Sequence, residues 1–488
     1  MLSKISNIFF TNQTTSQTIV KNTFWLGVSQ IASRLLRVAI VIYAARLLGA
    51  YDYGVFAYAL GISGILSVIF SDIGVNRILV KEAIQSPNKR LQYIATAFAI
   101  KMVLLLFTGL ILVGIAPYFS KIVEAKILLP ITALLLILDG IRDFGYAVIR
   151  SLEKMEWEAL VNVITNITTI LMAGIAITYQ PTPMVLIIAY TTASFIGTSI
   201  IAIGLRRTIA KIKVNFQSNL IKPIMINAWP FAVINLLWSA VMYTDIIMLG
   251  WLTTATEVGF YSAAQRPIQL LLALPAVISA SILPSLSRFA NQNQEKFKQV
   301  MEQALAITML IAFPLMAGGM ALAQQLIPLV YGTDYIGAIA PFQLLAASIL
   351  ITFPTLLIYH AIIANNLQKK FILQMATGAI MNIALNWWLI PREGVVGAAL
   401  ATIISQFIAY GWIYINIQKT FRFSLLPKIY RIIFATIIMV AAIEFSRLAN
   451  INIYLIVIIS VASYGASLII LKDPLINRFR NLWKNATT

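Results

Sequence analysis

The chain has 488 residues, 60% of them hydrophobic and 11% charged, with a mean hydropathy of +0.87; a soluble domain carries roughly 25% charged residues, so the composition excludes a water-covered globule and implies lipid around much of the molecule. The net charge of +19 comes from short segments between apolar runs, where basic residues read as topology signals and not as a nucleic-acid surface. With no cysteine, a single histidine (His360) and no Gly-x-x-x-x-Gly-Lys loop, the sequence holds no signature of a disulfide, thiolate metal site, iron–sulfur cluster or nucleotide-hydrolysing centre, and no catalytic residue, metal or cofactor is expected.

A membrane-crossing helix needs about 20 apolar residues, and the chain supplies about fourteen such stretches. The first begins near Phe24, follows a polar leader without a small-residue cleavage site, and reads as a retained span. The next five begin near Gly54, Tyr93, Ile127, Ala159 and Pro183; Met184 to Leu205 carries no charge at all. Six more begin near Trp229, Phe260, Gln303, Pro341, Phe371 and Val396, and a final two near Ile429 and Ile453. With the N-terminus placed in the cytoplasm, the inner segments hold 26 of the 36 lysines and arginines. The outer loops hold only Arg46, Lys121, Lys126, Arg392 and Arg447. An odd error in the count would scramble this asymmetry, so the spans are even in number and both termini are expected inside. The expected fold class is an all-α polytopic membrane protein.

The chain also repeats itself. Residues 50–59 read AYDYGVFAYA and residues 255–264 read ATEVGFYSAA, both fitting Ala-x-[Asp/Glu]-x-Gly-x-[Phe/Tyr]-x-x-Ala at an offset of 205. Six spans separate the copies. An even number keeps the two halves in the same orientation, related by a pseudo-twofold axis along the membrane normal, and such paired bundles place a substrate cavity at their interface. The expected organisation is a six-helix bundle over 1–214, a second over 215–420, and two added helices with a cytoplasmic tail over 421–488.

Around these elements lie ASRLLRVAIVIYAARLLGA and SDIGVNRILVKEA in the first half, then MYTDIIMLG, TEVGFYSAAQRPIQLL, LPSLSRFA, YGTDYIGAIAPFQLL and IPREGVVGAALATIISQF in the second. In order and spacing these resemble the oligosaccharide (O-antigen-type) flippases of the multidrug/oligosaccharidyl-lipid/polysaccharide exporter superfamily, over nearly the whole chain. The resemblance implies two six-helix bundles around a cavity that opens alternately to either side. It implies an oligosaccharide joined by pyrophosphate to a polyprenol such as undecaprenol as cargo, the bacterial inner membrane as location, and a polysaccharide polymerase and chain-length regulator as candidate partners. The first span also resembles that of the lipid II flippase, where Arg34 matches an arginine of the cavity.

Charges inside a bilayer are expensive and face cavities or partners. Arg34 and Arg37 lie near the middle of the first span, Arg142 mid-way along the fourth, and Arg266 in the outer part of the eighth. Guanidinium offers planar, bidentate, permanently charged donors suited to pyrophosphate, so these four are the candidate substrate-binding residues. The competing reading is structural: Arg142 can pair with Asp139 three residues back on the same helix. Asp245 and Asp139 are the candidate ion-coupling carboxylates, since buried carboxylates are the usual proton or sodium sites of secondary transporters; Asp245 reads equally as a structural partner of Arg266. Asp72 reads as a turn cap, Glu444 as interfacial, His360 as a satisfied polar group, and Lys101, near a span end, as a snorkelling lysine. Pro275, Pro314 and Pro354 can kink their helices.

Two other classes compete with the flippase. A cation-coupled exporter of drugs or other small organic molecules calls for a cavity of carboxylates and aromatics, and four intramembrane arginines argue against it. A membrane-embedded polymerase or glycosyltransferase calls for large extramembrane loops, whereas the loops here are about ten to twenty residues, in the range of plain connections.

Overall fold

The computed structural model describes residues 15–71, 73–206, 215–290, 292–364, 368–421 and 426–475. Within them, the side chains of residues 15–35, 363–371 and 419–428 and a few single positions fall outside the description. Asp72 therefore lies outside the described residues, and of Arg34 and His360 only the helices that carry them are described. The described residues form helices and no strand. The chain divides into two compact units, Met1–Gly259 and Phe260–Thr488.

In the first unit, α1 (Thr15–Leu66) ends in a π-helical turn, Ser67–Ser71. It is followed by α2 (Val75–Gln85), α3 (Arg90–Gly114), α4 (Val123–Ser151), α5 (Met155–Tyr179), α6 (Pro183–Gly204) and α7 (Ile221–Leu252). The second unit takes most of α8 (Ala255–Leu271), then α9 (Ala273–Phe289), α10 (Gln294–Tyr331), α11 (Ile339–Ala347), α12 (Ile349–Ala364), α13 (Gln368–Phe421), α14 (Leu426–Leu448) and α15 (Ile453–Ile470).

Nine helical stretches among the described residues are long and apolar enough to cross a membrane, or eleven with two bent pairs counted as spans. Two of the nine hold two expected spans each. Gly49 (φ 74, ψ 172) breaks α1 and Gly394 (φ 54, ψ −132) breaks α13, both where the sequence places a short link between spans. These backbone angles favour glycine, which has no Cβ to clash. α4 has 29 residues and the length to span, but Asp139, Arg142 and Asp143 interrupt its apolar run. With these three additions the helices are consistent with the fourteen expected spans. The protein is a multi-pass membrane protein.

Helices of the first unit approach one another through small residues, as is usual where lipid removes the hydrophobic driving force between helices. A long antiparallel seam joins the second half of α1 to α7 and the first turns of α8. Tyr58 covers Gly250, Ile246 lies on Gly61, Tyr243 on Gly64, and Phe231 on Gly74. At one end of the seam, a Cβ on Gly54 would overlap the Ala255 carbonyl oxygen and a Cβ on Gly259 would overlap that of Ala50. This packing is why α7 belongs to the first compact unit. The first compact unit accordingly ends at Gly259.

At the other end of the seam the π-helical turn of α1 ends at Ser71 and α2 begins at Val75, with Gly74 at φ 92. Lys101 is 3% exposed and donates from Nζ to the Ser71 carbonyl at 2.6 Å. It does not snorkel as expected: a broken helix end leaves carbonyls in need of donors, and the long stem of a lysine on α3 reaches one.

The second unit has a core of Leu286, Phe297, Met301, Leu305, Leu357 and Ile413. The two added helices pack on α10 through Met439, Ile443 and Ile456 around Leu322, and the Tyr464 hydroxyl donates to the Leu310 carbonyl at 2.7 Å. Glu444 pairs with Arg447 at 2.9 Å, one turn along α14.

Candidate functional site: a charged stripe on α4

Asp139, Arg142, Asp143, Tyr146 and Arg150 recur at three- and four-residue intervals and so share one face of α4. The helix midpoint falls at Ile137, so Asp139 lies about 3 Å and Arg142 about 8 Å beyond it along the axis. A bilayer centred on the helix would hold Asp139 and Arg142 within its hydrocarbon region.

The Arg142 guanidinium pairs with Asp139 at 2.8 Å and donates to the Ser194 hydroxyl on α6 at 3.1 Å. Ser194 in turn donates to Asp139, closing a three-membered polar cluster across two helices. α6 can come this close because Thr198 donates to the Leu138 carbonyl at 2.9 Å and Gly145 leaves room for Ile201. Two turns on, Arg150 binds Glu158 of α5 bidentately, with Nε to Oε2 at 2.7 Å. Between these clusters the buried Tyr146 ring fills the stripe.

The stripe is not sealed. The Arg142 side chain is 15% exposed and that of Asp139 is 42% exposed. A charged carboxylate facing acyl chains at this depth costs about 3 kcal/mol or more. The physically consistent surrounding for this face is water or a polar ligand. Chemically, the cluster offers a guanidinium whose present counter-ion is a carboxylate that another anion can replace.

The structure brings Asp139 and Arg142 together as the spacing expects. Arg37 is exposed on α1, and Arg34 is carried by the same helix. Arg266 on α8 donates to Gln269 at 3.3 Å, and Asp245 on α7 is 1% exposed. Among the described residues no three His, Asp or Glu side chains converge as metal ligands would.

Sequence reading missed two features. Ser194 and Glu158 complete the α4 stripe, yet a serine in an uncharged span and a glutamate beside a loop look ordinary. A second buried polar cluster lies in the second unit. There Asn386 donates to Asn382 at 3.1 Å, Asn382 lies 3.5 Å from the Thr402 hydroxyl, and the Tyr261 hydroxyl sits 3.2 Å from the same oxygen. Two asparagines four apart inside an apolar run were the available signal.

Residues 19–290 match the family described as polysaccharide biosynthesis protein. The chain is 24% identical over 425 residues to the "Putative O-antigen transporter" of Shigella flexneri, covering 83% of this chain and 99% of that protein. Among solved structures it is similar to the lipid II flippase MurJ in an inward closed conformation, with a TM-score of 0.73 at 18% identity over 92% of this chain and 99% of that one. It is also similar to an inward-facing multidrug resistance MATE family transporter of the MOP superfamily, with a TM-score of 0.67 at 14% identity over 79% of this chain and 95% of that one. These two likenesses establish the fold.

Proposed function

The chain belongs to the polysaccharide biosynthesis protein family, and from that premise we propose that it carries a polyprenyl-pyrophosphate-linked oligosaccharide from the inner to the outer leaflet of the cytoplasmic membrane by alternating access. The observation that carries the proposal is the similarity, over 83% of this chain and 99% of the other, to a protein named for O-antigen transport, in a chain that holds guanidinium groups within its long helices. Arg34, Arg37, Arg142 and Arg266 hold the pyrophosphate, because guanidinium keeps its charge in a low-dielectric site and offers paired donors to phosphate oxygens. Asp245 and Asp139 are the carboxylates that couple the cycle to an ion gradient. Both termini face the cytoplasm. A polymerase and a chain-length regulator would act on the delivered cargo at the outer face.

The test is reconstitution in liposomes and measurement of polyprenyl-pyrophosphate oligosaccharide crossing, for wild type and for Arg34→Ala. Transport by wild type that falls at least tenfold in the folded variant supports the cargo and the phosphate-holding role together. Unchanged transport in the variant keeps the cargo and removes Arg34 from the site. Absence of lipid transport together with ion-driven efflux of organic cations replaces this function with the drug-exporter reading.

A further inference from the structure

A groove of about 480 Å³ runs between α1 and α5, both helices of the first unit. Ala39 and Tyr43, four residues apart and so on one stripe of the helix, form much of its α1 wall. Leu171, Gly174, Ile175 and Thr178, at the i, i+3, i+4 and i+7 positions of one face, form most of its α5 wall. The Tyr43 and Thr178 hydroxyls are the polar side-chain groups of this lining, and that of Thr178 donates to the Ile175 carbonyl at 2.6 Å. Ala39, Tyr43, Leu171 and Ile175 are exposed, so the groove is open along its length. A Cβ on Gly174 would meet nothing within 4 Å, which leaves a recess in the middle of the α5 wall.

The groove ends at a charge. Arg46 follows Tyr43 by three residues and Ala39 by seven, and so continues the same α1 stripe, about 4.5 Å beyond Tyr43 along the axis. Arg46 is exposed. In the orientation read from loop charge it stands at the outer end of the first span. An apolar trough with a guanidinium at its interfacial end is complementary to a lipid that has a phosphate head and an apolar chain.

We propose that this groove is the outer-side docking site of the cargo's polyprenyl chain, with the adjoining phosphate held by Arg46. The proposal rests on the flippase reading and adds to it the place where the lipid stands once its head group has crossed. Two features favour the carrier over a bulk phospholipid. Arg34, Arg37 and Arg46 all lie on α1, so a pyrophosphate leaving the first two meets the third on the same helix. A polyprenol is a single methyl-branched chain, and the recess at Gly174 receives a branch where a linear acyl chain leaves a void lacking dispersion contacts.

The test places a photo-crosslinker in the groove and supplies the lipids separately. Leu171, 57% exposed, is replaced by p-benzoylphenylalanine, and the protein in phosphatidylcholine liposomes is offered a polyprenyl pyrophosphate. Irradiation is expected to attach the prenyl chain at residue 171. Arg46→Gln is expected to lower the yield about tenfold, the effect of losing a charge-assisted hydrogen bond to phosphate, and Arg46→Lys to restore part of it. Gly174→Leu fills the recess, where no neighbour stands in its way, and is expected to lower the yield several-fold in a folded protein. A yield unchanged by either Arg46→Gln or Gly174→Leu would overturn the proposal. Equal attachment of a phosphatidylglycerol supplied at the same concentration would also overturn it, by making the groove a site for bulk lipid. A protein that takes up the prenyl chain in this way but moves no lipid-linked oligosaccharide fails the flippase reading alone. One that transports the lipid and gives no crosslink at residue 171 fails the groove alone.

Discussion

The Arg142 guanidinium has two partners from two helices, the Asp139 carboxylate and the Ser194 hydroxyl, and they are not equivalent. Removing the hydroxyl deletes one hydrogen bond, a loss of about 1 kcal/mol. Removing the carboxylate leaves a guanidinium without its counter-ion, which costs about 3–5 kcal/mol when fully buried and less here, where Asp139 is half-exposed. Asp139→Ala is therefore expected to lower the thermal midpoint of the detergent-solubilised protein more than Ser194→Ala does; the reverse order would show that the hydroxyl, and not the ion pair, holds the cluster. Arg150 and Glu158 make the complementary case, because Glu158 is buried and doubly bonded. Glu158→Gln is expected to destabilise by about 1–3 kcal/mol, since one bond survives while the charge balance does not. The i,i+3 pairing was readable from the sequence. The serine and the glutamate that complete the stripe were not, because each comes from another helix.

Helices α1 and α7 meet along a line of glycines, and the tolerance of each to a methyl group follows from what lies opposite. A Cβ on Gly250 would enter the Tyr58 ring, whereas Gly411 on α13 has open space around it. Gly250→Ala is expected to destabilise by about 1–3 kcal/mol through overpacking, and Gly411→Ala to be neutral or slightly stabilising because alanine is the better helix former. Equal thermal shifts for the two would mean that the seam is loose. The reciprocal Gly54 and Gly259 contacts contribute about 0.5–1 kcal/mol each. The repeat motif marked these glycines as equivalent. That the two copies touch each other follows from packing, which sequence similarity does not encode. Lys101 is the opposite case, since its position near a span end suggested snorkelling and the broken end of α1 claimed it instead.

At the scale of the molecule, the added helices α14 and α15 are bound to α10 through Met439, Ile443 and Ile456. In lipid this attachment depends on van der Waals fit and on a few hydrogen bonds such as Tyr464 to Leu310. A chain ending after residue 421 is expected to insert normally but to melt at a lower temperature in detergent; an unchanged melting temperature would make the pair a passive appendage. The charge asymmetry likewise makes a checkable statement about orientation. A single cysteine at Asn88 is expected to be protected from impermeant reagents in intact cells and one at Tyr118 to be labelled, and the opposite pattern would invert the topology.

Membrane residence, the division into spans, the expected orientation and the internal repeat are all legible in the linear sequence. Hydropathy and loop charge act locally, each stretch of chain meeting lipid or water on its own account. Family membership is legible for the same reason, as an ordered set of short motifs. The tertiary structure decided which charges are neutralised and by whom, and where backbones approach so closely that only glycine fits. Ser194 reaches Asp139 across 55 residues of chain, and Gly54 meets Ala255 from the other copy of the repeat. Such contacts depend on helix crossing and register, which hydrophobic patterning leaves undetermined in a membrane where nearly every face is apolar.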